Sequence, residues 1–509
     1  MSNTGKTIIK NTSVMMGAQA ASWIFMFALM IFLPRYLGAE AYGAIGLGTS
    51  IWTVVGVAMA FGMDVFLVKE VARHPEKTGE LMGTTLLLRG LLFGLGLAAV
   101  ALYLHLVDYP PLTVQVVYLM GITHLLWLFI NGCHAVLQGL EVMEYISIAN
   151  ITGKAVHTGV AITALLLGYG IYTIVGISML AALVVLVMQL TFLSWRHPPR
   201  FRLSLGQGKD LLRASTPYLM IALVASIYME ADIVIISLLM DETAVGWYAS
   251  ARRLTGTFMF FPVVFIGAIF PALSRIYTQD AERLPLLVRK SFDLMVLMSI
   301  PIGLGLAILA QPLVILLFGA EFAPAGPILS VMGIMLIFIY MNTLMGKFLI
   351  STDRQNNWTV VMVVATIVSI GLDLLLIPWC SRVLGNGAIG GALSFLVTEI
   401  GMVIVGITLL PKGTMGWSNL RFFLLALLAG LGMVGVVWWW RDAFIAIPIL
   451  IGAVTYLGLI ALLRVVPAED VALARNLGAQ MINRIRRRRT KPVNAGETVS
   501  IEGAYAAND

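Results

Sequence analysis

The sequence predicts an all-α integral membrane protein with about fourteen transmembrane helices: two six-helix lobes related by a pseudo-two-fold axis, plus two extra helices at the C-terminus. Three observations carry that reading. Apolar residues fill 59% of the 509 positions and Asp, Glu, Lys and Arg only 12%, with a mean hydropathy of +0.93, where soluble domains carry roughly 25% charged residues. The apolar excess comes in blocks near the ~20 residues that cross ~30 Å of hydrocarbon. Lys and Arg alternate from side to side between those blocks, as short cytoplasmic loops retain positive charge.

In chain order the blocks run 12–34, 42–63, 82–106, 113–138, 146–167, 171–194, 214–239, 246–273, 291–318, 325–350, 358–380, 387–410, 421–440 and 444–465. Lys6 and Lys10 precede the first block, which is too long for a typical secretion-signal core. With the N-terminus inside, 26 of the 33 Lys and Arg fall on the inside, while the outside loops hold only Arg35, Arg382 and Arg441. Arg89, Lys154, Arg252 and Arg253 lie within spans. A miscounted span would scramble this alternation downstream, so count and orientation support each other, with both termini cytoplasmic. From Pro467 onward, Leu473, Leu477, Met481 and Ile485 recur at spacing four, and Arg484, arginines 486 to 489 and Lys491 follow. That pattern predicts an amphipathic segment on anionic lipid, or a plain cytoplasmic retention charge, ahead of a disordered tail.

Self-comparison divides the chain. Leu37-Gly38-Ala39-Glu40-Ala41-Tyr42-Gly43 is echoed 203 residues later by Met240-Asp241-Glu242-Thr243-Ala244-Val245-Gly246, each following one apolar block and opening the next. A second echo, at offset 213, aligns Val136-Leu137-Gln138-Gly139-Leu140-Glu141 with Leu349-Ile350-Ser351-Thr352-Asp353-Arg354. The offset spans six blocks, an even number, so the repeats share one orientation: an N-lobe (1–205), a C-lobe (206–412), the added helices (413–466) and the basic cytoplasmic segment (467–509). Two such bundles can rock about their interface, which is the mechanics of alternating access.

The segment Arg35-Tyr36-Leu37-Gly38-Ala39-Glu40-Ala41-Tyr42-Gly43 resembles the RYLG-x-E-x-[YF]-G pattern of polysaccharide transporters, and residues 62–73 resemble their second-helix exit. Leu137 to Glu141, Val245 to Ala251 and Gly387 to Ala392 are similar to later stretches of the same family. The resemblance covers about residues 8–410. It implies a Wzx-type flippase of the superfamily that also holds lipid II flippases and multidrug and toxin extruders. The implied cargo is an oligosaccharide on undecaprenyl diphosphate, moved from the cytoplasmic to the outer leaflet of the cell membrane for O-antigen, capsule or exopolysaccharide assembly. The implied partners are that lipid-linked oligosaccharide, anionic membrane lipid for the basic tail, and polysaccharide polymerase machinery, with no nucleic acid. An ion-coupled multidrug exporter on the same fold is the alternative. A glycosyltransferase or polymerase would need a sizeable catalytic loop, and the outside loops are too short for one.

Ionisable groups within spans cost a few kcal/mol each, so each needs a partner, water or a purpose. Glu230 and Asp232 in the seventh block and Arg252 and Arg253 in the eighth reach similar depths. Either they lock the hairpin as two acids against two bases, or one arginine faces the cleft between lobes, where a planar guanidinium suits a diphosphate. Lys154 and His157, three apart in the fifth block, either snorkel to the inner interface or line the cleft. Arg89 is expected to snorkel or to pair with Asp64, and Arg35 is placed in an outer loop where it could receive cargo. Asp373 and Glu399 lack basic neighbours in sequence and are candidate proton or sodium sites, or hydrogen-bonded acids in a packed lobe. No cofactor is expected, and the six His and two Cys show no metal-ligand spacing. Cys133 and Cys380 are expected to be free thiols near opposite faces. Pro262, Pro271 and Pro301 are expected to kink the eighth and ninth helices.

Overall fold

The computed structural model describes residues 3–195, 205–410, 414–467 and 469, with side chains from Ser22 onward except at 205–207, 272, 278 and 281. The basic amphipathic segment expected after Pro467 lies outside the described residues. The chain is an all-α, multi-spanning membrane protein. Its helices are α1 (Asn3–Ala60), α2 (Met63–Arg73), α3 (Thr78–Val107), α4 (Pro111–Gly139), α5 (Met143–Leu166), α6 (Ile171–Ser194), α7 (Leu205–Leu239) and α8 (Glu242–Thr257). They continue with α9 (Phe260–Gln279), α10 (Leu284–Ile308), α11 (Ala310–Phe318), α12 (Ala325–Ser351), α13 (Gln355–Leu384), α14 (Ala388–Leu409), α15 (Trp417–Trp438) and α16 (Ala446–Leu462).

Among the described residues eleven helices are long and apolar enough to cross a membrane, fewer than the fourteen expected. The difference has identifiable causes. The first two expected spans share α1, which is interrupted only at Gly38 (φ 80°, ψ 171°), a backbone conformation open to glycine and costly for other residues. The chain reverses there: the half before Gly38 packs beside α5 in register (Phe25 with Thr158), and the half after it runs parallel to α4 (Trp52 with Val117, Gly56 with His124). α5 carries polar residues within its span, and α16 has 17 residues. The eighth expected span is broken at Phe258 and Met259, into α8 and α9, just before Pro262. The ninth breaks at Leu309, three residues before Pro312, rather than at Pro301, where α10 remains helical. In both cases the proline lacks the N–H that would bond the carbonyl one turn back and its ring crowds that carbonyl, so the ladder breaks three to four residues upstream.

The N-lobe core is sorted by depth. Ala44, Val116, Ile171 and Val175 cluster at one end, and Val71, Cys133, Val136, Ile146 and Leu193 at the other, as alternating helices require. The α4–α5 and α12–α13 turns close identically. Val142 N–H donates to Leu137 O and Arg354 N–H to Leu349 O, with Glu141 and Asp353 at φ 59°. This is a Schellman-type end. The turns are related by 212 residues, one less than the offset read from sequence. α15 and α16 pack on the C-lobe through α10, where Gly430 lies against Ile300 and Leu304 and the Tyr456 hydroxyl donates to Leu297 O (3.1 Å). Cys133 and Cys380 are buried and free.

Candidate functional site

The outer halves of the lobes meet backbone to backbone. A Cβ on Gly43 would stand 1.9 Å from Glu242 O, and one on Gly246 would stand 2.0 Å from Ala39 O. Positions 39 and 43 become 242 and 246 at the 203-residue offset, so the two contacts join the same pair of echoed positions in exchanged roles. Gly46 faces Ala249, its own counterpart. Polar links rim this seam. The Glu321 carboxylate accepts the Ala39 N–H (2.7 Å), and Arg35 reaches over from the first half of α1 to Leu316 O on α11 (3.3 Å). Arg35 therefore ties the lobes together in this state.

Deeper in the seam, Glu230 of α7 takes both arms of Arg252 from α8 (3.0 and 3.1 Å) and the Ser50 hydroxyl from α1 (2.7 Å). The expected lock of two acids against two bases is thus only half made: two residues along α7, Asp232 points elsewhere and holds the Tyr248 hydroxyl. Arg253, one position on and so about 100° around α8, is exposed and has no hydrogen-bond or ion-pair partner among the described residues. It lies within electrostatic range of Tyr42 on α1 and His157 on α5. Lys154 is exposed and His157 half-buried, one turn apart and likewise without such partners among the described residues. Because α5 begins at Met143, Lys154 is about 16 Å from its inner end at 1.5 Å per residue. That is deeper than the sequence blocks implied and beyond easy snorkelling. Arg253 is about as far from the outer start of α8, so the two cations approach mid-membrane from opposite lobes.

Inside the C-lobe, Glu399 accepts the Tyr228 hydroxyl (2.6 Å) and the Asn342 amide (2.7 Å), so it is a hydrogen-bonded acid rather than an unpartnered one. Asp373 is fully buried with both oxygens unsatisfied, as is Oδ1 of Asp232; the Ser394 hydroxyl is donated to Ser369 O (2.9 Å). The three acids are within electrostatic range of one another through Asp232. Arg89 is fully buried and pairs with Asp64, with a second arm on Leu128 O.

Residues 32–327 match the family model described as polysaccharide biosynthesis protein. The chain belongs to that family. Over 334 residues, 65% of its length and 66% of the relative's, it is 23% identical to the succinoglycan biosynthesis transport protein ExoT of Rhizobium meliloti. It is 24% identical over 174 residues, 34% of its length, to the probable low-salt glycan biosynthesis flippase Agl15 of Haloferax volcanii. It thus spans less than two thirds of either curated relative. A solved lipid II flippase MurJ in an inward closed conformation is similar in fold, with TM-score 0.70 and 16% identity over 87% of this chain and 97% of that one.

In this polysaccharide biosynthesis protein the sequence singled out the seam glycines as part of an echo but not as a contact. It missed Glu321, Tyr248, Tyr228 and Asn342, whose roles depend on long-range packing.

Proposed function

We propose that the chain is a flippase carrying an undecaprenyl-diphosphate-linked oligosaccharide from the cytoplasmic to the outer leaflet, for O-antigen, capsule or exopolysaccharide assembly. Transport would proceed by alternating access between an N-lobe (1–205) and a C-lobe (206–412) of six spans each, with 413–466 adding two for fourteen in all. The observation that carries this reading is the Arg253 of α8, without a partner among the described residues and within electrostatic range of His157 on α5, one turn from the equally partnerless Lys154: cations without carboxylates at mid-membrane suit a diphosphate. Family membership and the glycan-export names of the relatives point the same way, and a cation-lined cleft disfavours organic-cation drugs. The outer seam would be the closed gate of the inward-accessible state. Two apolar clefts, of about 420 and 370 Å3, lie where α15 meets α14 and α10 and where α15 and α16 meet α10, and would suit the isoprenoid tail. Asp232 and Asp373, buried without a counter-charge on Asp373, would take a proton or a sodium ion to couple the cycle.

The test is a deletion strain assayed for the leaflet that holds labelled lipid-linked sugar. Accumulation on the cytoplasmic face, reversed by the wild-type gene and not by Arg253→Glu at equal protein level, is expected. Normal surface glycan with raised drug sensitivity would overturn the reading in favour of drug export.

A further inference from the structure

At the cytoplasmic end of the N-lobe, α4 carries Asn131, His134 and Gln138 on one stripe, at i, i+3 and i+7. This stripe lies about half a turn from Cys133 and Val136, which cluster with Met82 of α3. Opposite it α2 presents Asp64 and Lys69, and these five residues line an open cavity of about 510 Å3, within the ~300–1,000 Å3 of small-ligand sites. Lys69, Asn131, His134 and Gln138 have no hydrogen-bond partner among the described residues. Asp64 is held from behind: the fully buried Arg89 takes its Oδ1, and the side chain remains 39% exposed. A buried guanidinium has thus fixed one oxygen of a carboxylate whose other oxygen is left open.

We propose that this cavity is a sugar subsite, binding a hydroxyl-rich residue of the oligosaccharide while the diphosphate occupies the cleft at Arg253. The inference rests on the flippase reading above. A carboxylate, two carboxamides, an imidazole and an ammonium supply both donors and acceptors, which match vicinal hydroxyls. The charge balance excludes other occupants. Asp64 is already neutralised by Arg89, so an organic cation has nothing to pair with, and one lysine without backbone N–H groups is no cradle for a diphosphate. A neutral or carboxylated sugar fits both facts.

The test uses the full chain in vesicles with two lipids extracted from cells: the complete lipid-linked repeat unit, and the diphosphate lipid bearing one sugar from a strain blocked after the first transfer. Asn131→Ala with Gln138→Ala removes two exposed side chains, outside the packed core. The half-saturating concentration of the complete repeat is expected to rise roughly 5–100-fold for two lost hydrogen-bonding groups, with the one-sugar lipid unchanged. Equal effects on both lipids, or none on either, would overturn the subsite. A Gln138→Cys variant gives a second readout independent of transport: the complete repeat should slow its labelling by a maleimide and the one-sugar lipid should not, and equal protection by both would count against the subsite. Wild-type protein that moves neither lipid defeats the flippase reading, and the subsite with it.

Discussion

Replacing Gly246 by alanine should open the outer face. Its Cβ would stand 2.0 Å from Ala39 O and 2.8 Å from Ala39 C, so the helices would have to separate by about 1.5 Å to reach ordinary contact near 3.5 Å. Backbone on both sides leaves no flexible side chain to yield. Overpacking of this kind costs ~1–3 kcal/mol, and because it is felt only when the lobes are closed outside, it shifts that equilibrium ~5–150-fold towards the open form. Ser50, 1% exposed and well below the outer seam, reports the opening as Ser50→Cys in a chain with Cys133 and Cys380 removed. An impermeant maleimide added outside should label it at least fivefold faster in the Gly246→Ala background. Gly43→Ala should behave alike, since it makes the exchanged contact, whereas Gly401→Ala, with open space around its Cβ, should not. Unchanged labelling in both seam variants, with the control equal to wild type, would refute the idea that these glycines form the closing contact.

Other consequences can be checked as directly. Asp64→Asn leaves the fully buried Arg89 charge unpaired and should cost ~3–5 kcal/mol, seen as a lower melting temperature in detergent, while adding Arg89→Met should restore most of it. Glu230→Gln removes the bidentate partner of Arg252, and should accelerate outside labelling at Ser50→Cys without touching the inner cavity. Asp373→Asn should abolish any dependence of transport on a sodium or proton gradient while leaving the protein folded, measured as uptake in vesicles with and without the gradient. Arg253→Lys should retain part of the export lost in Arg253→Glu, since it keeps the charge but not the fork.

How much was legible beforehand follows the range of each interaction. Apolar blocks placed the helices because each is a local property of its own residues. The seam glycines at 43 and 246 were visible as an echo in the letters of the sequence; that the echoes touch one another needed the fold. The α4–α5 and α12–α13 turns were read one residue out of register, since the pattern matched letters while the shared feature is a hydrogen bond to a carbonyl five residues back. Arg89 with Asp64 was one of the two readings that depth allowed, and packing decided between them. Arg252 was not matched to Glu230, because equal depth does not fix which helix face a residue occupies: two steps along α7 turn a side chain by about 200°. Tyr248 and Asn342 gave no signal, since a tyrosine or asparagine within a span reads as packing until the acid it satisfies is located. The α4 stripe of Asn131, His134 and Gln138 had the right spacing to be noticed and was passed over.

In the proposed cycle the cations at mid-membrane and the glycine seam on the outer side act on the same equilibrium. There Arg253 and Lys154 belong to different lobes, so in an empty cleft their repulsion opposes approach of the inner halves. At ~10 Å two unit charges repel by about 0.4 kcal/mol in water and about 1.7 kcal/mol at an effective dielectric of 20. A diphosphate between them replaces that repulsion with two attractions, favouring inner closure by a similar amount or more. The outer seam contains backbone contacts and few ion pairs, so little electrostatic attraction holds it against a shift of this size. A ligand moves a two-state equilibrium only by its differential affinity, and here the difference is supplied by charges that the anionic head alone can reconcile. An empty carrier would then stay sealed outside, and a loaded one would have reason to turn.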